Sequence, residues 1–530
     1  MPEEYLPSYE TKKPHIHQAQ NAEQYIASLT SQGSLGDLQT FQKVIEITKK
    51  VKELGGNALL VGGSVRDELL GSPVTDFDLE VYGIEPDVLR NCIARFGDIK
   101  EAGKAFGVIK LRVGDTDIDI SLPRKDSKTG DGHKDFSIDA NPHMSIEEAA
   151  RRRDFTMNSL AKDPQTGEIY DYFGGIHDIQ KRILRVTDYE RFQDDPLRVL
   201  RAIQFIGRMG LAVDDKSASL IRDMRKQLRH LPKKRFREEW IKLFLKSRKP
   251  SLGLQAAMEF GIFHELHENE IVPLRITPQE PQWHPEGDVW IHTLMVTDEA
   301  VKIVERENLK GNDALIVLLG AFCHDLGKPP TTEVVEGKIR SLGHEEAGVA
   351  PSIKFLSDIG IEASLREPII KTVADHLKPS VLWQEEHVAG RKVSDNTIRK
   401  LAERIYPATI EQLLYVAEAD HLGRGQFIDP REPEKYLIAP EYPTREWLLE
   451  RARKLNIAKS KPAPILMGRD LLALGFLSGP HIGEMIRLAD TLRDEKEYTR
   501  EQILSLIFGH KDKHVSDIIA ILKKESEEPE

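Results

Sequence analysis

The stretch VGGSVRDELLGSPVTDFDLEV, residues 61–81, most restricts what this chain can fold into. The apolar residues that lead into it predict a buried strand, and the paired glycines then precede a short helical stretch. Backbone N–H groups at such a turn point outward at a helix N-terminus, where they can bind an anion. Asp76 and Asp78 are two residues apart on a predicted strand and therefore project from the same face. The stretch predicts a phosphate and Mg²⁺ site, since Mg²⁺ prefers oxygen ligands and usually bridges to phosphate.

Neighbouring residues extend this predicted site. Gly62, Gly63 and Ser64 are placed to cradle a triphosphate, because they form the turn between the strand and the helix. Asp119 in DTDIDISLPR offers a third carboxylate, and the alternation of that strand puts it on the same side as Asp117. Either motif alone would be explained better by a glycine turn or a polar sheet edge, but the combination favours a site.

Length and composition set limits on the class of protein. At 530 residues the chain is too long for one core, so two to four domains are expected, and 40% apolar with 30% charged residues indicates a globular chain. Cys92 and Cys323 provide no disulfide framework, which favours a reducing, cytoplasmic location. We expect no secretory signal and no membrane partner, because the chain has neither an apolar leader nor a run of about 18 apolar residues.

The periodicity of apolar residues predicts an α+β head followed by helical domains. A polar N-terminal extension, flexible or loosely docked, comes first, and the Pro-rich residues 272–287 and 428–443 read as linkers. The predicted parts are the extension (1–40), the head (41–185), a helical neck and body (186–271), a helical domain rich in His and Asp (288–425) and a C-terminal helical segment (444–522).

The positive charge of the chain is concentrated in one block. The net charge is −11, yet residues 181–250 contain 20 Lys and Arg against 9 Asp and Glu. A basic block in an acidic protein is a candidate track for a polyanion, and Lys233, Lys234 and Arg235 are its candidate RNA contacts. A solvated helical face is the alternative reading.

Four further motifs follow the opening stretch in order, and with it they give the chain a family resemblance. They are RRRDFTMNSL (151–160), DYFGGIHDIQKRILRV (171–186), DDPLRVLRAIQF (194–205) and KKRFREEWIKLF, which begins at Lys233. From about 58 to 260 the chain resembles the class II tRNA nucleotidyltransferases, or CCA-adding enzymes, and the bacterial poly(A) polymerases of the polymerase β superfamily. The resemblance implies a mixed-sheet nucleotidyltransferase head and an all-α neck and body.

The resemblance implies template-independent addition of CMP and AMP to tRNA 3′ ends from CTP and ATP. Asp76, Asp78 and Asp119 would be catalytic, with Mg²⁺ held by Asp76 and Asp78. The implied nucleotide-binding residues divide by the part of the nucleotide that each would contact. Arg66 and Arg153 would contact phosphate, Asp154 and Asn158 the ribose, and Asp195 and Arg198 the base, with Arg201 in the same segment.

Base selection would depend on the donor and acceptor pattern of two side chains. Asp195 can accept from the exocyclic amine that CTP and ATP share, and it would repel the carbonyl of UTP or GTP. Arg198 can donate to a ring nitrogen or carbonyl, although a salt bridge between the two on one helix turn is the structural alternative. The motif has Asp194 where the family usually has Glu.

A second set of residues lies in the helical domain rich in His and Asp. A predicted buried helix, Leu315–Cys323, ends in His324 and Asp325, which can both reach one metal. His292 and Asp420 come from other predicted helices, and the set resembles the ligands of the HD superfamily of metal-dependent phosphohydrolases. The resemblance adds His344 and His376 as ligands of two-metal members, so the whole set is His292, His324, Asp325, His344, His376 and Asp420.

Such a set of imidazoles and carboxylates suits Mg²⁺ or a divalent transition metal without selecting one. HD modules fused to CCA-adding enzymes imply activity on 2′,3′-cyclic or terminal phosphates. Several alternatives remain open: a partial CC-adding or A-adding enzyme, a poly(A) polymerase, a nucleotide-regulated phosphohydrolase, or a tRNA-binding scaffold. The stretch GKAFGVIKL, 103–111, is more similar to the tRNA enzymes than to the poly(A) polymerases.

Overall fold

The computed structural model describes residues 14–31, 35–74, 76–101, 108–114, 116–128, 136–425, 427–429, 432–496 and 498–527. Residues 103–107 of GKAFGVIKL lie outside these ranges. The chain forms two compact units, one ending at Leu266 and one beginning at His267. None of the helices in the described ranges combines the length and apolar composition needed to cross a membrane.

The head is built on one eight-stranded mixed sheet. Its strands are ordered β1-β10-β9-β2-β3-β6-β5-β4, and β3 and β6 are the parallel pair. The strands of the head, including the separate hairpin β7–β8, are β1 (His15–Gln18), β2 (Asn57–Val61), β3 (Phe77–Tyr82), β4 (Ile99–Glu101), β5 (Val108–Val113), β6 (Thr116–Ser121), β7 (Arg124–Lys128), β8 (Phe136–Ala140), β9 (Ala161–Lys162) and β10 (Glu168–Asp171).

Six helices accompany this sheet. They are α1 (Ala22–Ser31), α2 (Leu35–Glu53), α3 (Gly63–Leu69), α4 (Pro86–Ile93), α5 (Ile146–Arg151) and α6 (Gly175–Lys181), with a 3₁₀ turn at Thr156–Asn158. The buried residues of β2 and the inward face of α5 share a core, which holds the glycine turn against the sheet. The predicted strand, glycine turn, helix and Asp-x-Asp strand therefore correspond to β2, α3 and β3.

The N-terminal segment differs from the extension predicted for residues 1–40. β1 pairs antiparallel with β10, and Gln18 Nε2 donates to the Thr166 carbonyl at 2.7 Å. Tyr25 of α1 packs on Phe41 of α2 with ring centroids 4.5 Å apart. The described part of this segment is thus an edge strand and a packed helix of the head, while residues 1–13 and 32–34 lie outside the described ranges.

The neck and body that complete the first unit are helical, with one short parallel strand pair. Their elements are β11 (Ile183–Leu184), α7 (Tyr189–Phe192), α8 (Leu197–Met209), β12 (Ala212–Val213), α9 (Asp215–Met224), α10 (Lys233–Lys246), α11 (Pro250–Glu259) and α12 (Ile262–Leu266). A 3₁₀ turn spans Arg225–His230. The aromatic rings of Phe236, Trp240 and Phe263 pack in series at tilted angles and connect α10 to α12.

The second unit begins with a 3₁₀ turn, Val272–Ile276, and continues as a helical domain around α14. Its elements are α13 (Val289–Arg306), α14 (Gly311–Cys323), α15 (Lys328–Thr331), β13 (Thr332–Val335), β14 (Lys338–Ser341), α16 (His344–Ala347), α17 (Val349–Asp358), α18 (Ala363–Asp375), α19 (Lys378–His387), α20 (Asp395–Ile405) and α21 (Ile410–Leu422). Ten consecutive residues of α14 are buried, because this helix is apolar all round and lies inside the domain.

The C-terminal part, predicted as a single segment over 444–522, is divided between two cores. Its elements are β15 (Ile428–Asp429), β16 (Glu432–Tyr436), α22 (Pro443–Lys454), α23 (Gly468–Ala473), α24 (Pro480–Lys496), α25 (Arg500–Phe508) and α26 (Val515–Glu527). α22 shares its core with α20 and α21, whereas the last four helices have a separate core. The predicted fold class, a mixed-sheet head followed by helical domains, is confirmed.

Candidate active sites

Three carboxylates lie on or beside the neighbouring parallel strands β3 and β6. Asp78 on β3 and Asp119 on β6 are register partners, and Asp76 directly precedes β3. Burial raises the pKa of Asp78 to about 6; the charge of Arg153 opposes the rise, and those of Asp119 and Asp76 add to it. Carboxylates that repel one another on one face fit a divalent cation with oxygen ligands.

A lysine neutralises part of this negative charge. Lys110 of β5 is the register partner of Asp119, and its Nζ donates to Asp119 Oδ1 at 2.6 Å. This hydrogen bond raises the pKa of Lys110. Lys110 was not predicted as a site residue, although its place on a strand next to the carboxylates is visible in the sequence.

The glycine turn brings a guanidinium close to the backbone. Gly62 has φ of +70°, and a Cβ at this position would lie 2.8 Å from Arg153 Nη1. Gly62 therefore allows both the turn and the approach of Arg153. Ser64 was predicted to help bind a triphosphate. In the structure it is buried, and its Oγ donates to the Val61 carbonyl at 3.0 Å. Gly63 begins α3 and is half-buried.

Glu80 is a buried carboxylate that was not predicted from the sequence as a site residue. Its side chain is 1% exposed, accepts from Arg152 Nη2 at 2.7 Å and from the Tyr82 hydroxyl at 2.8 Å, and lies 3.5 Å from Arg153 Nη2. Glu80 continues the alternation of Asp76 and Asp78, and this spacing was the signal available in the sequence.

A chain of hydrogen bonds connects α3 to α8. Arg66 Nη1 donates to Asn158 Oδ1 at 2.6 Å, Asn158 Nδ2 donates to Asp154 Oδ1 at 2.9 Å, and Arg201 Nε donates to Asp154 Oδ2 at 2.6 Å. Arg66 is 4% exposed and also donates to Asp67. It therefore positions Asn158 rather than standing open as the predicted phosphate contact.

The salt-bridge alternative would require Arg198 to donate to Asp195. In the structure the two side chains have other hydrogen-bond partners. Arg198 donates to the main-chain carbonyls of Arg191 and Arg152, both at 2.6 Å. Asp195 Oδ2 accepts from Arg235 Nη2 at 2.7 Å. Arg235, predicted to contact RNA, thus holds the predicted base-selecting carboxylate, while its neighbours at the start of α10 are exposed.

In the second unit, the six predicted metal ligands are brought together and are all buried. Two groups of three side chains each have ligand atoms within 4.8 Å of one another: His292, His324 and Asp420, and Asp325, His344 and His376. The groups are joined through Asp325, since Oδ2 lies 3.1 Å from His324 Nε2 and Oδ1 lies 3.3 Å from His344 Nε2.

The four imidazoles turn the same ring nitrogen toward the centre. In three of them Nδ1 bonds a main-chain carbonyl three residues earlier: His324 to Ala321 at 2.7 Å, His344 to Ser341 at 2.7 Å and His376 to Val373 at 2.8 Å. A carbonyl only accepts, so the proton is on Nδ1 and Nε2 keeps its lone pair in the neutral ring. This second-sphere arrangement orients histidines that bind metal.

Two close pairs of Nε2 atoms fit a metal centre. His292 and His324 have Nε2 atoms 3.3 Å apart, and those of His344 and His376 are 3.2 Å apart. Burial lowers the pKa of His376 to about 3, assisted by the charges of His344 and His324, so its ring is neutral near pH 7. Facing nitrogen lone pairs in a buried site are accommodated by a cation that both can bind.

The segment predicted as a Pro-rich linker contributes two unpredicted residues. Glu286 Oε1 lies 2.7 Å from His292 Nδ1 and 2.9 Å from His284 Nδ1, and the Glu286 side chain is fully buried. Burial raises the pKa of Glu286, but its contacts with the two histidines prevail and bring it to about 2. Glu286 therefore completes for His292 the orientation that carbonyls supply to the other three imidazoles.

The chain turns sharply after α14 to bring the second ligand group together. A Cβ at Gly327 would lie 2.0 Å from the His344 carbonyl, so only glycine allows this approach of α16. Lys328 Nζ lies 2.7 Å from Asp325 Oδ2. Burial raises the pKa of Asp325, but the charges of His324 and Lys328 outweigh it and hold this pKa well below its usual range.

Three protein families match successive parts of the chain. The poly(A) polymerase head domain matches residues 58–185, the probable RNA and SrmB-binding site of polymerase A matches 210–270, and the HD domain matches 289–424. The carboxylate site lies in the first of these matched regions, and the histidine site lies in the third.

Curated relatives cover most of the chain. A multifunctional CCA protein of Xanthomonas campestris is 33% identical over 441 residues, which is 81% of this chain and 96% of the relative. One of Xylella fastidiosa is 30% identical over 385 residues, 71% of this chain and 86% of the relative. The resemblance found in the sequence is thereby confirmed.

Solved structures share the fold at lower identity. The Bacillus stearothermophilus CCA-adding enzyme in complex with CTP has a TM-score of 0.59 at 20% identity, covering 89% of this chain and 98% of that one. The Thermotoga maritima CCA-adding enzyme complexed with tRNA has a TM-score of 0.52 at 18% identity, covering 96% and 98%. Since a multifunctional CCA protein is 33% identical to this chain over 81% of the chain's own length, the chain belongs to the multifunctional CCA protein family.

Proposed function

We propose that this protein adds the CCA sequence to tRNA 3′ ends from CTP and ATP and carries a second, hydrolytic site. The observation that carries the first activity is the register pairing of Asp78 with Asp119, with Asp76 just before β3 and with the charge of Arg153 acting on Asp78. Relatives of matching length are named for CCA addition, and similar structures hold CTP or tRNA. A cytoplasmic location belongs to this proposal, since both cysteines are unpaired.

In the head, the protein mainly positions reactants and balances charge. Asp76 and Asp78 would hold Mg²⁺, which when bound lowers the barrier to attack by the RNA 3′-hydroxyl on the α-phosphorus. Arg153, held by Glu80 next to the glycine turn, contacts the phosphates. As that hydroxyl oxygen bonds to phosphorus, the bond to pyrophosphate breaks, pyrophosphate leaves, and the hydroxyl proton passes to solvent.

Base and sugar selection is assigned to the network between α3, α8 and α10. Asp154 and Asn158, which are buried and held by Arg66 and Arg201, would contact the ribose hydroxyls and favour ribonucleotides. Asp195, held by Arg235, accepts from the exocyclic amine of cytosine or adenine.

RNA binding is assigned to the basic block and the helices that follow it. Lys233 and Lys234 are exposed at the start of α10 and would contact the tRNA backbone. They lie within the region that matches the probable RNA-binding site of polymerase A. The last four helices, with their separate core, form a further candidate tRNA-binding part.

The histidine site is proposed to hydrolyse 2′,3′-cyclic or terminal phosphates at RNA 3′ ends. The two ligand groups would hold divalent transition metals or Mg²⁺, which supply an activated water nucleophile when bound. Water adds to phosphorus and a P–O bond to the ribose breaks. A cyclic phosphate is thereby opened to a monoester, and a terminal monoester is hydrolysed to inorganic phosphate and a ribose with a free hydroxyl. Asp325 and Lys328 lie at the junction of the two groups and fix its charge.

One experiment tests the head directly. Purified protein is incubated with tRNA lacking its last three, two or one nucleotides, with each NTP alone and with CTP and ATP together. We expect addition of CC from CTP, then a single A from ATP, and no addition from UTP or GTP. Addition of long A tracts, of CC only, or of A only would contradict the proposed complete CCA activity.

A further inference from the structure

Trp283 is a large aromatic side chain at the mouth of the cavity that holds the histidine cluster. It lines this cavity together with Asp325, His344 and His376, yet 54% of its surface is exposed. An isolated exposed aromatic residue needs no explanation, but one at the entrance to a buried metal-ligating cluster is placed to meet a ligand.

Trp283 is held in place by a turn and a hairpin. Its backbone N–H donates to the Glu280 carbonyl at 3.0 Å, and Glu280 Oε2 accepts from the backbone N–H of Ile339 in β14 at 3.0 Å. Ile339 also lines the cavity. The entrance therefore has an apolar wall whose two parts are tied together, as a stacking platform requires.

Cationic groups contribute to another part of the cavity lining. Lys328 Nζ lies 2.7 Å from both Gln279 Oε1 and Asp325 Oδ2. Arg424 Nη2 lies 3.5 Å from Asp420 Oδ2. Ammonium and guanidinium groups beside a metal-ligating cluster suit a phosphate, while the apolar wall suits a planar ring.

We infer that Trp283 is the residue that recognises the base of the substrate at this site, by stacking of the base on its indole ring. The inference rests on the proposed hydrolase function and adds to it a residue that favours nucleoside phosphates over phosphates without a base. The cavity volume is about 260 Å³, close to the lower end of small-molecule sites, roughly 300–1,000 Å³, which favours a single nucleotide. Stacking tolerates every base, because each base presents a π face.

A binding measurement tests the platform without catalysis. Uridine 2′-monophosphate is titrated into the full-length protein in EDTA by calorimetry, since the head is proposed to reject uracil. Trp283→Ala should weaken binding about fivefold to tenfold, toward the lower end for loss of a stacking aromatic, and Trp283→Phe should retain most of the affinity. Phe508→Ala, which removes another aromatic exposed to 53%, is the matched control and should leave binding unchanged. Equal affinity of Trp283→Ala and the wild type would overturn the inference.

A kinetic comparison separates the base from the phosphate. Uridine 2′,3′-cyclic phosphate is compared with glycerol 1,2-cyclic phosphate, which has the same five-membered ring and no base. Trp283→Ala should raise KM for the uridine substrate with little change in kcat, and should leave the glycerol substrate unaffected. An equal loss on both substrates would make Trp283 a structural residue and overturn the inference. If the wild type opens neither substrate, the hydrolase proposal fails, and the binding measurement alone decides the role of Trp283.

Discussion

Asp78 of β3 and Asp119 of β6 are register partners on adjacent parallel strands, although 40 residues of the chain separate them. Burial, assisted by the charges of Asp119 and Asp76, raises the pKa of Asp78 to about 6. Two carboxylates that repel each other destabilise the head when no cation is bound, and a bound cation relieves this repulsion.

We expect Asp78→Asn to reduce nucleotide addition at least about a thousandfold, because the head loses a charged metal ligand and the Mg²⁺-dependent step with it. Binding of tRNA should remain close to wild type. Gel-based extension and tRNA binding of the same preparation check both statements. Asp87→Asn, at an exposed acid in the first turn of α4, is the control and should extend tRNA normally. Normal extension by Asp78→Asn would remove the assignment.

Asp78 also predicts a pH dependence for metal binding by the head. Because its pKa is raised to about 6, the carboxylate is charged above that pH and becomes protonated as the pH falls through it. Affinity for Mn²⁺, used as a spectroscopic probe, should therefore decline below about pH 6. The measurement uses the His324→Ala, Asp325→Ala double variant, so that the second site does not contribute. An affinity that is constant down to pH 4.5 would contradict this assignment.

Because Asp195 and Arg235 are hydrogen-bonded, replacing either residue is expected to reduce the fidelity of nucleotide selection. Asp195→Ala removes the acceptor for the exocyclic amine, and Arg235→Ala leaves that carboxylate without the guanidinium 2.7 Å away. Both variants should misincorporate UMP or GMP, with discrimination reduced about tenfold or more, as for loss of one charged hydrogen bond. Competition between CTP and UTP on tRNA lacking CCA is the measurement. Unaltered fidelity with reduced stability would make the pair structural.

Lys233 and Lys234 predict a different effect, on the salt dependence of tRNA binding. Replacing both by Ala should lower affinity and reduce the slope of log K against log salt by roughly one for each lost phosphate contact. Nucleotide selection should not change, which separates these residues from Arg235. The matched control is Lys302→Ala, another exposed lysine, in α13. A slope identical to wild type would assign Lys233 and Lys234 to a solvated face.

The parts of the fold that the sequence predicted are those determined by local patterning. The glycine turn, the alternation around Asp78 and the apolar helix ending in His324 each lie within a short stretch, where side-chain period and turn chemistry act directly. The edge strand β1 was missed because His15–Gln18 is exposed throughout and has no alternation. Its pairing is determined by β10, far along the chain.

The sequence identified which residues belong to the sites more completely than it identified the contacts that these residues make. Arg66 was read as a phosphate ligand, but packing buries it against Asn158, and no local pattern indicates that. Glu286 was hidden in a Pro-rich stretch, and its role depends on His292 being placed 2.7 Å away. Contacts of this kind follow from how distant elements pack, which a single sequence does not specify.

Glu286 predicts a loss of metal from the second unit. Glu286→Gln weakens the acceptor that orients His292, so metal affinity should fall about tenfold to a hundredfold, as for other second-sphere carboxylates. Metal content after dialysis, by elemental analysis, is the measurement, and nucleotide addition should be unchanged. Glu280→Gln is the control, because Glu280 bonds the Ile339 backbone and contributes to none of the metal-ligating groups. Full metal retention by Glu286→Gln would show that the carbonyl-anchored histidines suffice.

The double variant His324→Ala, Asp325→Ala predicts complete loss of the second activity alone. It removes a ligand from each of the two groups, so hydrolysis of cyclic phosphate with added Ni²⁺, Mn²⁺ or Mg²⁺ should disappear. Nucleotide addition should continue, since the head has its own carboxylates. Loss of both activities together with altered circular dichroism would indicate unfolding, and persistent hydrolysis would contradict the metal assignment.

His267 predicts how the stability of the second unit depends on pH. Burial lowers its pKa to about 4, with a smaller opposing effect of Asp358, so the folded protein keeps this ring neutral where the unfolded chain protonates it. Stability from His267 is therefore fully present above pH 6.5 and is lost as the pH falls toward 4, by at most roughly 3 kcal/mol. His267→Phe keeps the edge-on packing against Phe355 and removes the titration. Its urea midpoint should fall less between pH 7 and 4.5 than that of the wild type, whereas replacement of His514, an exposed histidine of the same unit, by Phe should leave the wild-type slope. Parallel slopes for His267→Phe and the wild type would show that His267 is not the group protonated on unfolding.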